Sequence, residues 1–227
     1  MADKETVKRM LDAQEDHWEQ AFSEEPDFFG EEPSHPARRA VELFSKNAKK
    51  VILELGGGQG RDTFFFARRG FQTTVVDYSQ KGLEDIRKKT SGLGLADLIR
   101  TVLHDIRKPL PFDDETFEAC FSHMLYCMAL TMAELEFLSR EIRRVLRPGG
   151  LNVYTVRHKG DAHFGKGVYR GEDMYEMGGF IVHFFDREKV RHLSAGYDIL
   201  AIDELEEGEL PRRLFMVTMK KNRSGRQ

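Results

Sequence analysis

The chain has 227 residues, 40% hydrophobic and 32% charged, with 35 lysines and arginines against 38 aspartates and glutamates. A net charge of −3 argues against a general nucleic-acid binder, which needs a basic excess to neutralise phosphates. No apolar run approaches the ~20 residues that span a bilayer, the N-terminal stretch has no signal-peptide core, and two cysteines make no disulfide framework, so a cytoplasmic protein with no membrane partner is expected.

Val7, Met10, Leu11, Trp18, Ala21 and Phe22 recur at helical spacing and predict an N-terminal amphipathic helix. Pro26, Gly30, Pro33 and Pro36 then mark a loop. The pair Phe28-Phe29 inside it suits a lid or a partner contact. A second helix is expected from near Ala37, burying Ala40, Val41 and Phe44. From Lys50 the pattern changes to short apolar runs at Val51–Leu55, Thr73–Asp77, Ile99–His104, Phe117–Ser122 and Leu151–Val156. Runs of that length bounded by turn residues read as strands buried on both faces.

Helical segments over Arg61–Arg69, Gln80–Thr90 and Met132–Leu146 alternate with these strands. The last opens on a capping box, Thr131 with Glu134, and Pro148-Gly149-Gly150 stops it. Such alternation implies an α/β fold, a mostly parallel sheet with helices on both faces. The stretch His158–Gly179 shows no periodicity. Asp186 is placed to cap a helix over Arg187–Ser194, and Tyr197–Leu205 and Arg213–Lys220 read as a hairpin whose turn contains Pro211. With no internal repeat, one domain is expected over residues 1–221. Residues 1–36 would be its cap, 157–180 an insertion on the substrate side, and 222–227 a flexible tail.

The segment Glu54-Leu55-Gly56-Gly57-Gly58-Gln59-Gly60 joins a buried strand to a helix. Glycines there permit positive φ and close approach of a ligand, which then meets the free N–H groups of the helix start. A dinucleotide fingerprint would need a third glycine where Arg61 stands, and a triphosphate loop would need Lys-Ser/Thr where Arg61-Asp62 follows. The spacing acid-x-Gly-x-Gly-x-Gly, met by Glu54, Gly56, Gly58 and Gly60, resembles the class I (Rossmann-like) S-adenosylmethionine-dependent methyltransferases.

The resemblance continues through Val75-Val76-Asp77-Tyr78-Ser79, His104-Asp105-Ile106, Phe117–Ser122 and Val145-Leu146-Arg147-Pro148-Gly149-Gly150. It implies a three-layer αβα sandwich on a seven-stranded sheet with an antiparallel last strand. It also implies S-adenosylmethionine as cofactor, contacted by Glu54, Gly56, Gly58, Gly60, Asp77, Tyr78, Asp105, Ile106, Ser122 and His123. Asp77 would bind the ribose hydroxyls and Asp105 the adenine amino group. Gly60-Arg61-Asp62 with Arg69-Gly70 is similar to the tellurite-resistance and thiopurine branch, which implies a small-molecule methyl acceptor. The family includes monomers and homodimers.

His123, Tyr126 and His163 are the candidate catalytic residues. His123 follows the fourth strand directly and is chemically able to take a proton from an acceptor. Arg157, His163, Tyr169 and Arg170 are expected to shape acceptor choice. Adenine or amide methylation is disfavoured because Ser122-His123-Met124-Leu125 stands where an Asn/Asp-Pro-Pro-Tyr signature would be. No metal site is expected, since His158, Asp161, His163 and His183 lack ligand spacing. Two other readings stay open: a non-catalytic protein that binds the same cofactor, and a nicotinamide-dependent oxidoreductase.

Overall fold

The computed structural model describes residues 4–208 and 212–222. The side chain of Val7, the turn residue Pro211 and the tail residues 223–227 lie outside what is described. The elements in chain order are α1 (Lys4–Asp12), α2 (Gln14–Glu24), α3 (His35–Lys46), β1 (Val51–Leu55), α4 (Arg61–Arg68), β2 (Gln72–Asp77), α5 (Gln80–Leu93), β3 (Ile99–Leu103), β4 (Phe117–Ser122) and α6 (Met132–Val145). There follow β5 (Leu146–Arg157), β6 (Val168–Gly171), β7 (Met174–Met177), β8 (Phe180–His183), α7 (Arg187–His192), β9 (Tyr197–Glu207) and β10 (Arg212–Lys221).

Seven strands form one sheet in the order β3-β2-β1-β4-β5-β10-β9. Neighbours from β3 to β5 pair in parallel, and β10 runs antiparallel to both β5 and β9. This is the expected Rossmann-like sandwich. Alternate side chains of each strand serve opposite layers. Ile52, Ala119, Phe121 and Val153 pack under α3 and α4 with Phe44 and Phe66, whereas Leu53, Leu55, Cys120 and Val156 pack under α6 and α7 with Leu138, Ile142 and Val190. The chain order reverses between β1 and β4, which opens a crevice at the carboxyl ends of those two strands.

Three regions depart from the sequence reading. The N-terminal helix is two helices, α1 and α2, broken at Ala13. Helix α3 begins two residues early because the Ser34 hydroxyl accepts the Ala37 N–H, and Pro36 suits a first turn that has no use for its missing N–H. The insertion carries a second sheet, β6-β7-β8, antiparallel throughout. Its four-residue strands are too short to show a period, so no strand is legible there from residue pattern alone. The capping box on α6 forms as expected, with Glu134 N–H reaching Thr131 Oγ1 at 3.3 Å and Thr131 N–H reaching Glu134 Oε2 at 2.8 Å.

The last strand of the insertion's sheet, β8, is fastened at both of its ends. Gln14 of α2 accepts the Ile181 N–H at 3.1 Å and donates to the Gly179 carbonyl at 2.9 Å. His183 is wholly buried, with Nδ1 at 2.8 Å from the Leu130 carbonyl and Nε2 at 2.8 Å from Lys189 Nζ. Burial and the Lys189 charge push its imidazole down to about 4. The ring is therefore neutral, donating through Nδ1 and accepting from lysine through Nε2.

Candidate functional site

The loop after β1 holds three left-handed glycines, Gly56 (φ 72°), Gly58 (φ 53°) and Gly60 (φ 92°). A Cβ on Gly60 would meet Ile86 Cγ1 at 2.7 Å and Phe64 Cε2 at 2.9 Å, so position 60 has room for glycine alone. Gly57, which the spacing argument did not need, is tighter still, at 2.2 Å from Val75 Cγ2. Asp77, at the end of β2, ties this loop to its own strand by accepting the Gly58 N–H at 2.8 Å and the Ser79 N–H at 2.9 Å. Burial raises its carboxyl above the usual range, and the backbone donors only partly offset that.

Glu54 points to the α4 side and accepts the Thr63 hydroxyl at 2.6 Å. Burial, reinforced by the charge of Asp62, pushes its carboxyl up to about 8. Asp62 is itself occupied, accepting both N–H and O–H of Ser34 at 2.7 Å. The three acids thus stand close together on the donor side of the crevice.

The cap lies directly on this loop. The Phe22 ring stands 3.2 Å from where a Gly58 Cβ would be, and Leu125 lies 3.0 Å from the same point on Gly56. Glu19 accepts the Ser79 hydroxyl at 2.5 Å and the Lys81 N–H at 3.0 Å. Gln59 accepts the Phe28 N–H at 2.9 Å and donates to Asp85 at 3.0 Å. Trp18, Phe22, Phe28, Phe29 and Phe180 join in one aromatic cluster with centroid separations of 4.6–6.3 Å. Phe28-Phe29 is accordingly part of a cover over the glycine loop. Glu19 and Gln59 gave no sequence signal, because a glutamate on a helix and a glutamine in a loop are ordinary.

At the ends of β3 and β4 two polar atoms, His104 Nε2 and Ser122 Oγ, are buried with no partner among the described residues. Asp105 is engaged by Arg107, which donates from Nε at 2.9 Å and from Nη2 at 3.0 Å and extends to Asp12 of α1 at 2.5 Å. Ile106 packs into the main core, and Tyr78 is half-buried beside Asp77, with its hydroxyl pushed up by burial and by that charge.

His123 is held on both nitrogens, Nδ1 at 2.8 Å from Thr155 Oγ1 and Nε2 at 3.0 Å from Glu207 Oε2. Neither Thr155 nor Glu207 was picked out from the sequence. Burial works to raise the Glu207 carboxyl, but the hydrogen bond from His123 and the charges of Arg61 and Arg212 hold it below the usual range.

The other two catalytic candidates are elsewhere. Tyr126 is fully buried in the core and stacks on Tyr154, with ring centroids 4.2 Å apart and planes 10° apart. His163 is exposed on the insertion, 2.9 Å from Arg157 and without a contact to His123, Thr155 or Glu207 among the described residues. Arg157 forms a buried pair with Asp161, Arg170 pairs with Glu176, and Tyr169 is 60% exposed, so these side chains serve the insertion's own structure.

A family model described as "Methyltransferase domain" matches residues 52–150, the stretch that contains the glycine loop, Asp77, Asp105 and His123. Residues 52–150 are similar to methyltransferase domains. The chain is 27% identical over 128 residues to the malonyl-[acyl-carrier protein] O-methyltransferase of Salmonella typhimurium, covering 56% of this chain and 46% of that protein. It is 33% identical over 101 residues to the demethylmenaquinone methyltransferase of Chlamydia trachomatis, covering 44% and 41%. The chain spans less than half the length of these curated relatives. In fold it is similar to the Burkholderia thailandensis 1,6-didemethyltoxoflavin-N1-methyltransferase, solved with 1,6-didemethyltoxoflavin and S-adenosylhomocysteine. The TM-score there is 0.73 and the identity 15%, over 98% of this chain and 92% of that one.

Proposed function

We propose that the chain is an S-adenosylmethionine-dependent methyltransferase acting on a small-molecule acceptor. One observation carries this reading: three left-handed glycines and the Asp77 carboxylate converge at the crevice where the strand order reverses. The residues present suit the group. Gly60 leaves no space for a side chain, and the buried Ser122 hydroxyl has no hydrogen-bond partner among the described residues. When bound, S-adenosylmethionine supplies a methyl group on a positively charged sulfur, which leaves in line as a neutral thioether.

The chain's own part is to hold, orient and exclude water. Backbone N–H groups around Gly56, Gly58 and Gly60 would hold the amino-acid end. Asp77 retains a free lone pair on each oxygen to accept ribose hydroxyls, with Tyr78 beside it. Asp105 and Ile106 would bound the adenine end, with Arg107 fixing the Asp105 carboxylate. Glu54, shared with Thr63, would sit under the loop, and Ser122 and His123 would border the methyl. Phe22 and Leu125 lie against the loop's ligand face and would move aside to admit the cofactor.

The named acceptors of the similar proteins include an acyl-carrier-bound malonyl group, demethylmenaquinone and didemethyltoxoflavin, which supports a small-molecule acceptor. Both free cysteines are buried, and no helix among the described residues is long and apolar enough to cross a membrane. A cytoplasmic location is consistent with both. The reading is tested by titration calorimetry with S-adenosylmethionine and NADH in parallel, followed by an assay of S-adenosylhomocysteine release with phenols, thiols, amines and carboxylates. Binding of S-adenosylmethionine and product with one acceptor class are expected. Binding of NADH would overturn the reading, and tight S-adenosylmethionine binding with no product would favour a non-catalytic protein.

A further inference from the structure

The strands β9 and β10 overrun the sheet. Leu214 of β10 is level with Arg157, the last residue of β5, while the hairpin pairing continues to Arg212 and Glu207. This overhang brings Glu207 back across the crevice to His123, 84 residues away in sequence.

With one proton on the His123 ring, the hydrogen bonds there have one consistent direction. A carboxylate accepts and never donates, so His123 must donate to Glu207 through Nε2–H. The neutral ring then accepts at Nδ1, and the only group there is the Thr155 hydroxyl, at 2.8 Å. Thr155 can donate to it because its oxygen already accepts the Met124 N–H at 2.8 Å. The chain therefore runs from Met124 N–H through Thr155 and His123 to Glu207. Thr155 is wholly buried, so His123 Nδ1 faces protein and is not open to an acceptor.

What the chain presents to the crevice is the carboxylate. The Glu207 side chain is 20% exposed, and its second oxygen, Oε1, has no hydrogen bond among the described residues. Arg61, whose charge reaches Glu207, is occupied by Asp62 at 3.5 Å and by the Phe29 carbonyl at 3.3 Å. Its guanidinium lies over the Phe29 ring, 5.8 Å from the centroid, and that ring is 44% exposed. Arg212, the other cation whose charge reaches Glu207, is exposed. An acceptor-only oxygen with no hydrogen-bond partner among the described residues thus stands beside His123.

We propose that Glu207 is the residue that selects the methyl acceptor, taking molecules that offer an O–H or N–H donor and turning away carboxylates. His123 and Thr155 are positioning residues that fix the orientation of Glu207. This rests on the methyltransferase reading and adds the acceptor class to it. An acceptor whose methylated group is itself a carboxylate would face like charge at Glu207.

The test uses the full-length protein labelled with ¹⁵N-histidine, with and without S-adenosylhomocysteine. The His123 signal is assigned by its loss in His123→Gln. The probes share one planar scaffold: p-cresol, a neutral donor, and p-toluate, an anion. We expect the Nε2–H tautomer at His123, a shift with p-cresol and none with p-toluate. Glu207→Gln should weaken p-cresol binding roughly 10-fold, as expected for losing a hydrogen bond to a charged group. Glu207→Asp, which keeps the charge and shortens the reach, should give a similar loss if the glutamine variant folds poorly. Thr155→Val removes the partner that orients the ring and should weaken p-cresol binding, and Thr155→Ser, which keeps the hydroxyl, should restore it, which a packing role would not do. The Nδ1–H tautomer, any probe pattern other than a response to p-cresol alone, or undiminished p-cresol binding in both Glu207 variants would overturn the proposal. Calorimetry with S-adenosylhomocysteine reports separately on the donor reading, because its failure leaves the probe results without cofactor intact.

Discussion

The two ends of the crevice carry glutamates in opposite states, one buried and one half-buried. At the donor end Glu54 stands among Asp62 and Asp77 with one hydroxyl donor, and its carboxyl rises to about 8. At the acceptor end Glu207 is bonded to His123 and lies within reach of Arg61 and Arg212, and its carboxyl falls. Burial opposes ionisation at both, so the neighbours decide the outcome. The ends also differ in how they are assembled. The glycine loop and Asp77 are joined across 19 residues, whereas Glu207 meets His123 across 84.

If that division is real, changes at one end should leave the other intact. The largest effect is expected from Gly60→Val. The new side chain meets Ile86 and Phe64 at a backbone angle of +92°, so we expect donor affinity to fall by about 100-fold or more in calorimetry, with stability lower by about 1–3 kcal/mol. Thr155→Val, at the acceptor end, should leave donor affinity unchanged. A Gly60→Val protein that bound the donor normally would break the distinction.

Arg157→Ala should cost about 3–5 kcal/mol in denaturant unfolding, because it strands Asp161 in the interior. The pair is 6% and 2% exposed, and Asp161 also accepts the N–H groups of His163 and Arg213 at 2.8 Å. Donor affinity of the protein that remains folded should not change. A matching loss of donor binding would mean that the two ends are one unit.

Two pH dependences sharpen the contrast. Glu54 has a folded value raised from 4.5 to about 8, so its contribution to stability is complete below about pH 4.5 and is lost as pH rises through 8. Glu54→Gln should remove that loss, worth a few kcal/mol, in melting curves between pH 5 and 9. His183 has a value lowered from 6.5 to about 4. Its contribution is complete above about pH 6.5 and is lost as pH falls toward 4, up to about 3 kcal/mol. Exchange of the insertion's amides should therefore speed up at pH 4.5 before that of β1 and β2. As a surface control, Arg38→Ala removes an exposed pair with Glu32 and should change stability by no more than about 0.5 kcal/mol.

The same contrast explains what could be read in the sequence. Strands β1 and β4 match their expected limits residue for residue, and α4, α5 and α6 start where expected, because buried apolar runs, glycines and a capping box act within a few residues. The glycine loop was legible for that reason. Glu207 was not. It is one of several acids in Asp203–Glu207, and only the register of β9 on β10, with the hairpin's overrun, selects it. Tyr126 failed in the opposite sense: its position after β4 suggested a pocket, but its ring turns into the core against Tyr154. The short strands β6 to β8 were invisible because their order comes from packing on α2 and on the loop before α6, through Gln14 and His183.

The central claim is that the glycine loop and Asp77 bind S-adenosylmethionine, and calorimetric titration of the full-length protein tests it most directly. The account predicts one-to-one binding of S-adenosylmethionine, loss of that binding in Gly60→Val, its retention in Thr155→Val, and no heat with NADH. Binding of NADH, or S-adenosylmethionine binding that survives Gly60→Val, would contradict it.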